Sequence, residues 1–251
     1  MLTFNAPLST ERADRLAREL AARRPATVVD LGCGWGEFLL RVLAVAREAT
    51  GTGVDTHAAD LARAGEAASV RHLGDRVAFV EGSAADYGHE ADVLISVGAY
   101  QAFGTIPEAL TALRGRLRPG GRLLFGAEYW QRPPTDTELA HMWAGMKADD
   151  CTDLPGLVDM ATAAGFRPLR IETATRGEWE EFESAYGAEL EAWLLDHPDH
   201  PDADEVRTKV DKHRDIWLRG HRDVMGFAYL TLGVPSPGGR GVVQVDDTDR
   251  P

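Results

Sequence analysis

The sequence predicts an α/β fold: a doubly wound, mostly parallel seven-stranded sheet with inserted and C-terminal cap helices. Three observations predict it. Between residues 9 and 127, short apolar runs rich in β-branched residues alternate with stretches of helical spacing. Three closely spaced glycines, Gly32, Gly34 and Gly36, follow the first of those runs. After residue 128 the rhythm breaks at Pro133-Pro134 and gives way to acidic, aromatic-bearing helical text. A strand followed by a helix and another strand requires a crossover, and such units build parallel sheets covered on both faces.

Taken in order, Ser9 to Ala22 has Ser9 or Thr10 as cap and Leu16 and Leu20 on one face, and Pro25 stops it. Ala26 to Leu31 is a buried strand and Gly36 to Arg47 a helix. Gly51 to Asp55 is the second strand and His57 to Ala68 the second crossover helix. Arg76 to Glu81 and Ala91 to Val97 are strands three and four. Pro107 to Arg118 is a helix with proline in its first turn. Pro119-Gly120-Gly121 is a turn, and Arg122 to Ala127 the fifth strand. Beyond it, Thr135 to Lys147 and Asp153 to Ala164 read as helices, Phe166 to Thr173 as a strand, Glu178 to Leu195 and Asp204 to Arg219 as long helices, and Val224 to Leu232 as the last strand. The organisation is thus an N-terminal helix (1–24), a ligand-binding core (25–130), an inserted cap helix (131–152), the rest of the sheet with its acidic aromatic helices (153–234) and a flexible tail (235–251).

The chain has 251 residues with 27 Lys+Arg against 40 Asp+Glu, a net charge of −13. That balance opposes a nucleic-acid backbone or an anionic lipid surface as partner. Residues 178–223 hold 14 acidic and six basic residues, so most of the excess sits in the last helices. Two cysteines, Cys33 and Cys151, make no disulfide framework and suit a reducing compartment. No signal sequence or membrane-length apolar run is visible, so the expected location is the cytoplasm.

The ligand crevice of such a sheet lies beyond the carboxyl ends of its strands. Gly32–Gly36, Asp55, Gly82–Asp86 and Val97–Gln101 are expected along that rim. Val28-Val29-Asp30-Leu31-Gly32-Cys33-Gly34-Trp35-Gly36 is a strand ending in D-x-G-x-G-x-G. Its third glycine comes one residue earlier than in a pyrophosphate loop, and Asp30 suits a ligand that carries an ammonium group. Asp55, ending the second strand, is placed to accept both hydroxyls of a ribose.

These residues resemble the class I S-adenosylmethionine (SAM)-dependent methyltransferases, in a bacterial branch acting on small molecules. The glycine-rich motif at Asp30 to Gly36, the acidic residue at Asp55, the text from Asp92 to Gly98 and Leu117-Arg118-Pro119-Gly120-Gly121 match in order across about 100 residues. The resemblance implies a Rossmann-like core with Asp30, Gly32, Cys33 and Gly34 at the methionine end, Asp55 and Thr56 at the ribose, Ser83 and Ala84 at the adenine, and Val97 and Gly98 completing the cofactor site. Many relatives carry Gly-Asp-Ala where this chain has Gly82-Ser83-Ala84; Ser83, or Asp86 in its stead, would take the adenine amino group.

Methyl transfer needs an acceptor atom held close to an already activated methyl group, so no catalytic triad or metal is required. Tyr100 and Gln101 are expected to orient a polar acceptor, and Glu128 to serve as general base or to hold an acceptor ammonium. Phe103, Tyr129, Trp130, Trp143 and Tyr186 are the candidate walls of the acceptor pocket. The histidines at 197, 200 and 213 read as a solvated region, and no metal is expected. The predicted activity is transfer of a methyl group to O, N or C of a small molecule, with a homodimer as the expected assembly. Two alternatives stand beside it: a nicotinamide-dependent oxidoreductase of the same fold, and a SAM-binding protein that transfers nothing.

Overall fold

The computed structural model describes residues 2–236. Its seven strands are β1 (Thr27–Leu31), β2 (Thr50–Asp55), β3 (Val77–Glu81), β4 (Ala91–Val97), β5 (Leu117–Trp130), β6 (Arg167–Thr173) and β7 (Met225–Gly233). They form one sheet in the order β3-β2-β1-β4-β5-β7-β6. β1 to β5 pair in parallel, and β7 runs antiparallel to both neighbours. The order reverses between β1 and β4, which fixes the crevice at their carboxyl ends.

Among the described residues eight α-helices accompany the sheet: α1 (Thr10–Ala21), α2 (Glu37–Val45), α3 (Ala58–Val70), α4 (Ile106–Arg114), α5 (Asp136–His141), α6 (Leu154–Ala163), α7 (Arg176–Asp196) and α8 (Ala203–Asp215). Period-two alternation in the strands sorts the core into two layers. Val28, Ile95, Leu124, Phe227 and Tyr229 pack against α1 and α2, whereas Val29, Leu94, Leu123, Phe125 and Leu230 pack against α4 and α6.

Four elements depart from the sequence expectation by more than two residues. The helix expected through Arg118 ends at Arg114, and β5 starts at Leu117: Ala91 pairs with Leu117 but Val93 with Arg122, so Pro119-Gly120-Gly121 is an excursion inside one strand. At its other end β5 runs on to Trp130, paired with β7 throughout. The helix expected over Thr135 to Lys147 stops at His141, with Met142 extended and Gly145 at φ +87°. α8 is followed by a π-helical segment, Ile216–His221. Of the expected tail, residues 237–251 lie outside the described residues.

One ion-pair knot joins the first helix to the far edge of the fold. Glu178 on α7 accepts from Arg12 Nε (2.8 Å) and Ser9 Oγ (2.7 Å), while Arg12 also reaches Glu172 (3.2 Å) and the Thr173 carbonyl (3.1 Å). Burial alone would raise the Glu178 carboxyl, but the bonds from Arg12, Thr175 and Ser9 hold it down at about 2. A carboxyl depressed in the folded state contributes stability above its unfolded value and loses it as the pH falls toward its folded value. Glu178→Gln is therefore expected to lower unfolding free energy by about 3 kcal/mol at neutral pH. Urea denaturation should show that difference shrinking between about pH 4 and pH 2.

Candidate active site

Two cavities meet at the carboxyl ends of β1, β2 and β4. The larger, about 330 Å³, is lined by Asp30, Gly32, Cys33, Gly34, Asp55, Val97, Gly98 and Ala99 and by side chains from the N-terminal segment. The smaller, about 210 Å³, is lined by Gly32, Asp55, Thr56, Gly82, Ser83, Ala84, Ala99 and Gln101. They share Gly32, Asp55 and Ala99, so one elongated ligand can run through both.

The turn after β1 is built from glycines for two different reasons. Gly32 has φ +84°, and a β-carbon there would sit 2.3 Å from that of Ala99, in the loop after β4. Gly34 has φ +50°, and a β-carbon there would meet nothing within 4 Å. The amides of Gly32 and Cys33 both donate to the Val54 carbonyl (2.8 and 3.0 Å), tying the turn to β2. Asp55 accepts from the Gly34 amide (2.7 Å) and the His57 amide (3.0 Å), which fixes its carboxylate at the junction of the cavities.

Asp30 is buried, and burial followed by the charge of Asp55 raises its carboxyl to about 8. Cys33 faces β2, with its sulfur where a Gly53 β-carbon would fall, and burial followed by Asp30 and Asp55 pushes its thiol up. Both facts suit a packed spacer and not a nucleophile. In the smaller cavity the Ser83 hydroxyl already accepts from the Ala85 amide (3.2 Å), capping a short 3₁₀ turn. Asp86 stands outside that lining.

A roof that the sequence reading missed covers the larger cavity. Phe4, Asn5, Ala6 and Leu8 line it. This strap is held at three points: Trp35 Nε1–H donates to the Thr3 carbonyl (2.8 Å), the Arg41 guanidinium lies 5.2 Å from the Phe4 ring centroid, and the Tyr229 hydroxyl donates to the Pro7 carbonyl (3.0 Å). The available signal was the pair of apolar residues Phe4 and Leu8 just before the Ser9 cap.

The candidate acceptor residues fall into separate groups. Gly126 pairs with Val97, and a β-carbon on it would touch Val97 and Phe227 at 2.9 Å, so Gly126 faces the Val97 side of the sheet. Glu128 lies two residues further along β5 and so on that face. Burial raises its carboxyl, and its Oε2 has no hydrogen-bond partner. Tyr100 and Cys151 both feel its charge: burial and then Glu128 push the Tyr100 phenol up, and the same pair raises the Cys151 thiol to about 12. Gln101 is exposed at the smaller cavity.

The aromatic candidates are more scattered. Tyr129 points to the opposite face from Glu128, in the layer with Phe125. Trp130 donates from Nε1 to the Ala148 carbonyl (2.7 Å) and packs with Met142 and Met225, anchoring the cap loop. Phe103 lies beneath the Arg116 guanidinium (5.1 Å). Trp143 stacks on His221 (5.2 Å), and Tyr186, half exposed, stacks on His213 (4.6 Å). These two histidines flank buried Glu183, His213 Nε2 at 3.0 Å and His221 Nε2 at 3.3 Å. Hydrogen bonding to Glu183 raises the His213 pKa, and burial lowers that of His221. Trp143 and Tyr186 thus serve a cap-internal cluster and do not line the cavities at Gly32.

The two glycines should respond differently to one added methyl group. Gly32→Ala forces two loops apart and should cost about 1–3 kcal/mol in stability. Gly34→Ala should cost about 1 kcal/mol while filling open space. Thermal unfolding paired with S-adenosylhomocysteine titration should show Gly34→Ala folded but weakened in binding, and Gly32→Ala impaired in both.

Residues 28–121 match the family described as "Methyltransferase domain". The chain is 30% identical over 228 residues to the uncharacterized protein YjhP of Escherichia coli, covering 90% of this chain and 92% of that one. It superposes with a TM-score of 0.79 on a SAM-dependent methyltransferase from Geobacter sulfurreducens in complex with S-adenosyl-L-homocysteine, at 28% identity and covering 91% and 92% of the two chains. It is also 34% identical to trans-aconitate 2-methyltransferase of Deinococcus radiodurans, over 63% of this chain and 59% of that protein. The nicotinamide alternative falls with these likenesses. With the seven-stranded sheet and the glycine turn at its switch point, they establish that the chain belongs to the class I SAM-dependent methyltransferases and that SAM is its cofactor.

Proposed function

We propose that this enzyme methylates a small molecule bound between the methionine end of the cofactor cavity and the cap. The observation that carries this reading is Glu128, on the Val97 face of β5, with an Oε2 that has no hydrogen-bond partner and with Tyr100 near enough to feel its charge. A strap and a cap loop over the site leave room for a small acceptor and restrict a macromolecular one. Among the described residues, no helix is long and apolar enough to cross a membrane.

The residues fit the cofactor. Two joined chambers suit an elongated ligand, the space beside Gly34 admits its backbone approach, and acidic Asp30 suits a cationic amino-acid end. In this reading Asp30, Gly32, Cys33 and Gly34 hold the methionine part, with Val97 and Gly98 beside it. Asp55 and Thr56 hold the ribose, and Ser83 and Ala84 border the adenine. SAM supplies a methyl group already activated as a sulfonium. What the chain adds is alignment of the acceptor atom and exclusion of water. Tyr100 orients the acceptor and Glu128 takes its proton where one must leave; Gln101 closes the adenine side.

Two measurements test the cofactor roles. Asp55→Ala removes the carboxylate at the cavity junction and should weaken S-adenosylhomocysteine binding about 10–100-fold in calorimetry; unchanged affinity would remove Asp55 from the ribose role. Asp30 titrates near 8 in the free protein, and a bound cation favours its ionised form. Binding of SAM should therefore release protons and tighten as the pH rises toward about 8, a trend read from binding heats in buffers of different ionisation enthalpy. Asp30→Asn should abolish the proton release. Transfer itself is tested with isotopically labelled SAM and a panel of amines, phenols and acids. Tight binding without turnover on any member would favour a regulatory SAM-binding protein.

A further inference from the structure

We propose that residues 2–8 are a gate through which the cofactor enters and leaves, and that Trp35 of the glycine turn is its latch. This rests on the reading above that the methionine part of SAM lies in the larger cavity, and it names the element that controls exchange there.

Three observations converge. First, the strap is a partition with space on both sides. Phe4, Ala6 and Leu8 line the cofactor cavity of about 330 Å³ and also a cavity of about 740 Å³ behind the strap, bounded by α1 and the first half of α7. The outer space is more than twice the inner one, so the strap can swing outward without meeting packed core. Second, little main chain holds it. Among the described residues its backbone makes one main-chain hydrogen bond, from the Leu8 amide to the Ala6 carbonyl (2.7 Å), and it joins neither the sheet nor a helix. Segments with so few main-chain bonds open at a small free-energy cost. Third, the strap is fastened to the cofactor turn itself. Trp35 Nε1–H donates to the Thr3 carbonyl (2.8 Å), and the Arg63 guanidinium of α3 lies 4.6 Å from the Trp35 ring centroid, which steadies the ring.

The hinge is at the other end. The Tyr229 hydroxyl holds the Pro7 carbonyl (3.0 Å), and Ser9 is bound to Glu178 through its amide (3.2 Å) and hydroxyl (2.7 Å), so movement starts at Pro7 and grows toward Thr3. Each turnover exchanges S-adenosylhomocysteine for SAM, so the strap opens once per cycle and its opening rate sets a ceiling on kcat. Both partners of the latch belong to the protein, and their bond resists opening whether the chamber is empty or full. Loosening it therefore speeds entry and exit together and leaves the equilibrium affinity nearly unchanged. Trp35 also lines the cofactor cavity, but a residue that only walls a site acts chiefly on exit.

The test is surface plasmon resonance of S-adenosylhomocysteine on the immobilised protein, comparing the parent with Trp35→Phe, which keeps an aromatic ring and loses the N–H. Association and dissociation rate constants should both rise about 3–10-fold, with Kd within about twofold of the parent. A rise confined to dissociation makes Trp35 a wall and overturns the gate, as does no change in either rate. If Trp35→Phe does not fold, Tyr229→Phe decides in the same way, because it frees the Pro7 carbonyl and Tyr229 lines neither cavity. Asp55→Ala, run alongside, tests the placing of the cofactor. If it binds as the parent does, the cofactor does not lie beneath the strap, and that placing falls together with the gate. Weakened binding by Asp55→Ala with unmoved rates in Trp35→Phe overturns the gate alone.

Discussion

The close approach of two loops at Gly32 and Ala99 governs the architecture of the site. The sheet reverses its strand order between β1 and β4, so the turns leaving those strands diverge to opposite faces and open a crevice. Here they remain separated by less than the space of one methyl group. That contact sets the floor on which both cavities rest and brings Asp30, Asp55 and Gly98 around one opening. The hydrogen bonds from Gly32 and Cys33 to Val54 and from Gly34 to Asp55 then lock β2 to the same turn.

Charge is arranged in two regimes around this floor. On the periphery, acids are neutralised: Glu178 by Arg12, Glu37 by Arg41 and Arg71, Asp92 by Arg118. Inside, buried Asp30 and half-buried Glu128 have no basic partner, and desolvation raises both carboxyls. Leaving buried carboxyls unpaired costs stability, and such costs concentrate where a ligand later supplies the missing partner. The cap has its own solution, with Glu183 shared by His213 on α8 and His221 on the π-helical segment that follows it.

The β-α alternation was legible in the sequence because its strands are apolar runs of the right length and its turns need glycine. Gly32, Gly34 and Gly36 all have positive φ, so the motif is a direct record of backbone geometry. The acceptor side was harder to read. Glu128, Tyr129 and Trp130 were all expected at the acceptor pocket, but β5 continues through them, and strand alternation sends Tyr129 to the other face. Trp143 and Tyr186 are large aromatics, and nothing in their spacing reveals that each stacks on a histidine. The strap over the cavity carried no motif: Thr3 and Pro7 act through their carbonyls, which every residue type possesses.

β7 is buried along all nine of its residues and hydrogen-bonded on both edges, although it follows every other strand among the described residues. Its Phe227 and Tyr229 complete one core layer, and Ala228 and Leu230 complete the other. A ribosome making this protein therefore emits the whole cofactor-binding motif, both cap segments and the edge strand β6 before the strand that joins β6 to β5 exists. The nascent chain carries an unclosed sheet until residue 233 has emerged, and protection of the open β5 edge until then falls to whatever meets the chain at the tunnel exit.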